Sequence, residues 1–314
     1  MGPNTDRRLR RGLPLVLSAV LVAGVVPAGA AQARTPVAAR AAAVRICHSR
    51  AHPHIADRLS GDIVRALRGR RGYAAIAVYD RRKKLTCQWR QKRHFDSASI
   101  VKVTILSAYL RKKHGKLGAH DRALAWKMVT KSDNDAATAL WNKTGRASMR
   151  GFLRAAGMGG TTLDPAGHWG LTQVTANNEL KLLRLVTRDN TVIGHDSRKY
   201  VLYLMKHVTG SQRWGTPAGT PKHVTVHVKN GWLSRSTHGW RVHSLGTFNG
   251  SGHDYMMAVL SHGNPSMAYG VSTVERAARV VHRDLNPGEK IAVRQSEPAP
   301  RWGISDKSAP FQVR

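Results

Sequence analysis

A chain of 314 residues with 41% apolar side chains can bury a large core, which excludes a small peptide and a wholly disordered protein. Lys and Arg number 51 against 18 Asp and Glu, and the resulting net charge of +33 exceeds what solubility asks of a domain this size. Nucleic acid is disfavoured as a partner, because no zinc-finger, RNP, homeodomain or basic-zipper pattern occurs and the cations are spread along the chain. Anionic cell-wall polymers, lipid headgroups and a solvated basic surface with no dedicated partner all stay open.

Residues 1–33 read as an export signal. Arg7, Arg8, Arg10 and Arg11 precede an apolar run from Leu13 to about Ala30, and Ala31-Gln32-Ala33 supplies a cleavage site. Pro14, Gly24, Pro27 and Gly29 interrupt the run, which falls short of the ~20 residues of a bilayer span. The mature chain is therefore expected outside the cell, secreted or wall-associated, with no transmembrane segment left after cleavage. Arg7-Arg8 leaves the twin-arginine route open.

An Ala/Arg-rich linker is expected over 34–50, a domain over 51–285 and a loosely held tail over 286–314. Within the domain, Ile55, Ala56, Leu59, Ile63, Val64 and Leu67 have helical spacing. Two strand-like runs, 73–79 and 85–89, flank a charged hairpin connection. Apolar residues then face every direction between Ser99 and about Lys113, which predicts a helix buried nearly all round. Helical patterns continue through 119–158, 175–186 and 197–208. After a Gly/Pro-rich stretch at 210–221 the period changes to two, predicting antiparallel strands at 224–232, 240–248 and 254–261 before a closing amphipathic helix at 267–285. The fold class is thus α/β of the α+β kind: an antiparallel sheet built from both chain ends, flanked by helices, with an inserted all-α subdomain.

The two cysteines, Cys47 and Cys87, form an even set in an exported chain, and a disulfide between them would tie the first helix to the second strand. Two buried thiols are the alternative. No Cys/His spacing resembles a zinc module, so no metal or other cofactor is expected, and His52, His54, His223 and His227 read as surface residues.

Ser99-Ile100-Val101-Lys102 is the only Ser-x-x-Lys in the chain, and it opens the most buried helix. Residues three apart share a helix face. A lysine whose pKa is lowered by burial can take the serine proton, and the helix N-terminus directs N–H groups at a developing oxyanion. Ser132-Asp133-Asn134 follows at a joint between two helices, where it can serve as an N-cap or can supply a second hydroxyl and an amide. Lys143-Thr144-Gly145 ends a helical stretch and reads as a helix stop. Lys229-Asn230-Gly231 instead lies on a strand of period two, whose edge can present a cation and backbone N–H groups to a ligand.

These elements, in this order, resemble those of the class A β-lactamase and penicillin-binding serine enzymes, which carry Ser-x-x-Lys, Ser-Asp-Asn and Lys-Thr-Gly. The resemblance spans about 55–285 and includes Phe95, Ala98 and Val103 around the first motif and Ala136 and Leu140 after the second. It implies Ser99 as the acylated nucleophile, Lys102 as its base and Ser132 as proton shuttle to the leaving nitrogen. Asn134 would hold a substrate amide, Lys229 a carboxylate, and the N–H groups of Ser99 and Trp232 the oxyanion, with Gly231 between. Two departures stand out. Asn230 replaces the family's Thr, so an amide takes the place of a carboxylate-binding hydroxyl. In the stretch 161–172, Gly167 falls where class A β-lactamases place the glutamate that activates the deacylating water; Asp164 matches a structural aspartate of that loop, and His168 is either a substitute base or a packing residue. The expected function is a serine acyl hydrolase acting on a small molecule or cell-wall peptide through an amide, ester or β-lactam. The rivals are a true β-lactamase with a non-standard deacylation base and a non-catalytic cationic wall-binding protein.

Overall fold

The computed structural model describes residues 44–292, so the expected export signal, the linker up to residue 43 and the tail beyond residue 292 lie outside the described residues. Six antiparallel strands form the main sheet: β1 (Cys47–His48), β2 (Tyr73–Asp80), β3 (Leu85–Trp89), β6 (Thr225–Arg235), β7 (Gly239–Gly250) and β8 (His253–Asn264). Their order is β1-β3-β2-β8-β7-β6, so the N-terminal hairpin pairs with the C-terminal meander through β2 and β8. The sheet is built from both chain ends, as the change of period implied.

Alternation along the strands makes two cores. Ile76 and Val78 of β2 face the layer formed by α1 (Pro53–Leu67) and α8 (Met267–Leu285), where Leu59, Ile63, Val274 and Val281 are buried. Ala75 and Ala77 face the opposite layer, which contains α2 (Val101–Lys112), α3 (Ala119–Thr130), α4 (Asn134–Thr144), α5 (Arg146–Ala155), α6 (Ala176–Val186) and α7 (His195–Lys206). Alanines on that face let α6 approach β2 and β8. Every residue of α2 from Val101 to Leu110 is buried, Lys102, Thr104 and Ser107 included. Helix α4 stops where Gly145 takes φ +76°, which confirms Lys143-Thr144-Gly145 as a helix end.

Several expectations need correction. The domain does not begin at residue 51, because β1 lies within the expected linker and pairs with β3. The Cys47–Cys87 disulfide is present, but the two residues face each other across β1 and β3, so it joins two strands instead of a helix and a strand. The expected tail starts ordered: Asn286 is buried, Lys222 N donates to Lys290 O and Ala292 N donates to Thr220 O. His227 is buried against Thr247, not on the surface. A two-stranded sheet of β4 (Phe95–Asp96) and β5 (Gln173–Val174) was not legible, since two residues carry no periodicity. Among the described residues no helix is long and apolar enough to cross a membrane.

Candidate active site

The nucleophile candidate sits one step before the helix proper. Ala98–Ile100 form a 3-10 turn and α2 starts at Val101, so Ser99 lies in the turn at the head of the helix. Ala98 takes φ +47°, a left-handed conformation that costs a non-glycine residue roughly 1 kcal/mol and turns the chain sharply just before Ser99. β6 passes directly against this turn. A Cβ on Gly231 would stand 2.8 Å from the backbone nitrogens of Ser99 and Ile100, so only glycine lets the strand come this close.

Lys102 is fully buried one turn after Ser99. Its Nζ donates to Ser132 O at 2.5 Å and to Asn134 Oδ1 at 2.8 Å, and lies 3.2 Å from Ser132 Oγ. Lys229 approaches the same hydroxyl from the strand side, its Nζ donating to Ser132 Oγ at 2.9 Å and to Asn230 O at 2.9 Å. One serine hydroxyl therefore stands between two buried amines. Ser132 holds φ +58°, and Asp133 caps α4 by accepting from Ala136 N, so the helix joint fixes Ser132 in place. Burial, then the charge of Lys229, hold the Lys102 pKa well below the usual lysine range, against a smaller opposing effect of Asp133. Burial lowers that of Lys229 to about 7.

With its Oδ1 turned to Lys102, half-buried Asn134 keeps its Nδ2 as a hydrogen-bond donor. Asn230 departs from expectation. It is fully buried, and its Nδ2 donates to Gln212 O and Trp214 O, so the amide ties β6 to the preceding loop instead of facing a ligand. Trp232 packs its indole against Trp214 in the core, which leaves only its backbone near the nucleophile turn.

The stretch that matches the family's deacylation loop, with Gly167 at the glutamate position, forms a loop with pinned ends, Thr162 and Gln173 exchanging two backbone hydrogen bonds. Asp164 organises it by accepting from the backbone N of His168 and pairing with His168 Nδ1 at 3.0 Å. Ser97 joins it to the nucleophile turn, its N donating to Thr172 O and its Oγ to Trp169 O. Gly167 has φ +89°, and His168 is engaged by Asp164 at the surface. The residue that reaches the lysine is Trp169, which sequence reasoning missed. Its ring centroid lies 4.9 Å from Lys102 Nζ and its Nε1 donates to Thr138 Oγ1. The only sequence signal was a large aromatic beside the glutamate position. The site thus combines a serine at a strained turn, a buried lysine one turn on, a hydroxyl shared by two amines and an indole over the lysine.

A family model described as the β-lactamase enzyme family matches residues 119–285, just over half of the chain. No curated protein matches the sequence. Among solved structures, the TLA-3 extended-spectrum β-lactamase shares 14% identity at a TM-score of 0.65, covering 73% of this chain and 98% of its own. A class A β-lactamase from Bacteroides cellulosilyticus shares 16% identity at a TM-score of 0.63, covering 73% and 97%. An ancestral class A β-lactamase shares 20% at 0.60, covering 71% and 98%. At these identities the structures show a common fold, that of the class A β-lactamases, while the family follows from the sequence match: the chain belongs to the β-lactamase enzyme family.

Proposed function

We propose that this chain is an exported serine acyl hydrolase that forms an acyl-enzyme on Ser99 from an amide, ester or β-lactam and releases it slowly. The observation that carries the reading is the placement of Ser132 Oγ between Lys102 and Lys229. A neutral Lys102 has two N–H groups, which Ser132 O and Asn134 Oδ1 accept, and one lone pair left over. That lone pair takes the Ser99 proton as Oγ bonds to the carbonyl carbon. The N–H groups at the nucleophile turn and on β6 stabilise the oxyanion. When the carbon–nitrogen bond breaks, Ser132 gives its proton to the leaving nitrogen and recovers one from Lys102. Lys229, with a value of about 7, carries its charge below neutral pH and there attracts a substrate carboxylate, while Asn134 Nδ2 donates to a substrate amide carbonyl.

Slow release follows from the surroundings of Lys102. Trp169 covers it and among the described residues no carboxylate hydrogen-bonds to it, so this reading places no acid on that side to activate water. General-base assistance is worth about 10²–10⁴ in rate, and an adduct deprived of it persists. Exposure to benzylpenicillin followed by intact mass measurement tests the reading. A stable mass increase on the Ser99 peptide is expected, absent in Ser99→Ala and formed at least about 10²-fold more slowly in Lys102→Met. No adduct with β-lactams, activated esters or acyl peptides would overturn it; rapid turnover without accumulation would favour a β-lactamase with another base. The basic mature protein would also meet anionic polymers of the cell envelope, with affinity falling as salt rises.

A further inference from the structure

We propose that a basic groove at one end of the sheet binds a phosphodiester polymer of the polyol-phosphate class. The groove, about 530 Å³, runs between the turn that leaves α1 and the end of β3. Arg68, Arg70, Arg71 and Arg90 line it, and no Asp or Glu does. Arg70 is anchored: its Nε donates to Thr273 Oγ1 at 2.9 Å, a terminal nitrogen donates to Tyr269 O at 2.8 Å, and the guanidinium lies over the Tyr269 ring at 3.6 Å. Arg68, Arg71 and Arg90 are exposed, and among the described residues their side chains have neither a carboxylate nor a hydrogen-bond partner.

Uncompensated guanidinium groups gathered in one concavity raise the local potential, and their planar forks match phosphate oxygens in pairs. Aromatic rings hold two of them ready: Arg70 lies over Tyr269 and Arg90 stacks on Trp89 at 4.6 Å, while outside the groove Arg93 stacks on Tyr73 at 3.9 Å. Those same ring faces are the ones nucleobases would use, so the arrangement favours a polymer with phosphates and no bases. Gly69 at the groove's edge has φ +71° and open space where a side chain would be, which lets a chain lie close to the backbone. The choice of polymer rests on the proposed extracellular setting, and the inference assigns to one groove an attraction that net charge alone would spread over the whole surface.

The test uses the full secreted chain and fluorescein-labelled poly(glycerol phosphate), read by anisotropy at about 0.1 M salt, where exposed charges beyond about 10 Å are screened. The triple variant Arg68→Gln, Arg71→Gln, Arg90→Gln removes three charges without cutting a hydrogen bond. Lys113→Gln, Lys116→Gln, Arg150→Gln removes three exposed charges elsewhere. The groove triple should weaken binding at least about tenfold and flatten its salt dependence, and the control triple less than about twofold, with unchanged melting temperatures in both. Equal losses in the two triples would overturn the groove while leaving general attraction to polyanions standing. No binding by the unmutated chain would overturn both, and tighter binding of duplex DNA with the same number of phosphates would overturn the polymer class.

Discussion

The indole of Trp169 lies over the Lys102 ammonium position, 4.9 Å from ring centroid to Nζ, and shuts the lysine off from solvent on the side of the 161–172 loop. The ring acts on the Lys102 proton in two opposed ways. Cation–π attraction favours the charged form by about 2 kcal/mol or somewhat more at a desolvated site, whereas desolvation can lower a buried lysine by up to about 3–5 pKa units, roughly 4–7 kcal/mol, so exclusion of water wins. Replacing Trp169 by Ala admits water and raises the Lys102 pKa. The rising limb of the acylation rate should then move to higher pH by about one unit. Trp169→Phe keeps the apolar cover and should leave the limb in place, which separates this effect from the loss of stability that deleting a buried Trp brings. Quenched-flow mass measurement of adduct formation across pH reads both.

Restoring a glutamate at residue 167 should not produce a fast β-lactamase. Gly167 has φ +89°, so a side chain there costs roughly 1–2 kcal/mol, and its Cβ would point toward Arg146 at 4.0 Å, a partner that would hold the carboxylate. Gly167→Glu is expected to lower the melting temperature and change adduct release by less than about threefold, well short of a general base's usual factor of 10² or more. His168→Ala should also leave release unchanged, because Asp164 holds that imidazole at the surface. A tenfold slower release in His168→Ala would make His168 the missing base.

Much of this site was legible from residue types at fixed spacing. The three-residue spacing of Ser99 and Lys102 predicts a shared helix face, and the structure sets Ser99 in the 3-10 turn and Lys102 in the first turn of α2. Choosing Lys229-Asn230-Gly231 over Lys143-Thr144-Gly145 needed only the change of period from helix to strand. What escaped was whatever depended on long-range approach. Trp169 meets Lys102 because the loop's ends are pinned by Thr162 and Gln173, and no local pattern encodes that distance. Asn230 was expected to face a ligand, yet the loop at 212–214 presents two carbonyls that claim its amide. β1 went unseen because two residues held by a disulfide and a neighbouring strand need no propensity of their own.

Acid should unfold the protein through its histidines. Burial, the largest cause in each, pushes His227, His243, His262 and His282 down to about 4. Their folded-state values lie below the unfolded 6.5, so the stability they contribute is present above 6.5 and is lost as pH falls through 4. His282 shows the balance: its ring is buried, with Nε2 donating to Thr216 O and Nδ1 bonded to the Tyr255 hydroxyl, and burial outweighs the opposing effect of the Thr216 bond. Melting temperature should drop steeply between about pH 6 and pH 4, and His282→Gln should reduce that slope while lowering stability at neutral pH. A flat melting temperature across that interval would count against buried neutral imidazoles.

The opposite limit is set by Glu179, which lies on α6 wholly buried, with neither carboxylate oxygen hydrogen-bonded in the fold. Burial alone raises its pKa to about 8. The folded value lies above the unfolded 4.5, so between the two the native state holds a proton that the unfolded chain has released. Stability from this group is therefore full below 4.5 and is lost as pH rises through 8. Glu179→Gln keeps the shape and removes the titration, and Glu179→Met also removes the unpaired polar atoms from the core. Both variants should be more stable than the parent at about pH 8–9, by a few kcal/mol for Met, and the gap for Gln should narrow as pH falls toward 5, where the unfolded carboxyl nears its own value of 4.5 and begins to take up the proton that the folded state already holds. Denaturant midpoints measured across that range provide the check. A constant difference between parent and Glu179→Gln at every pH would mean that Glu179 has found a partner and ionises in the folded protein.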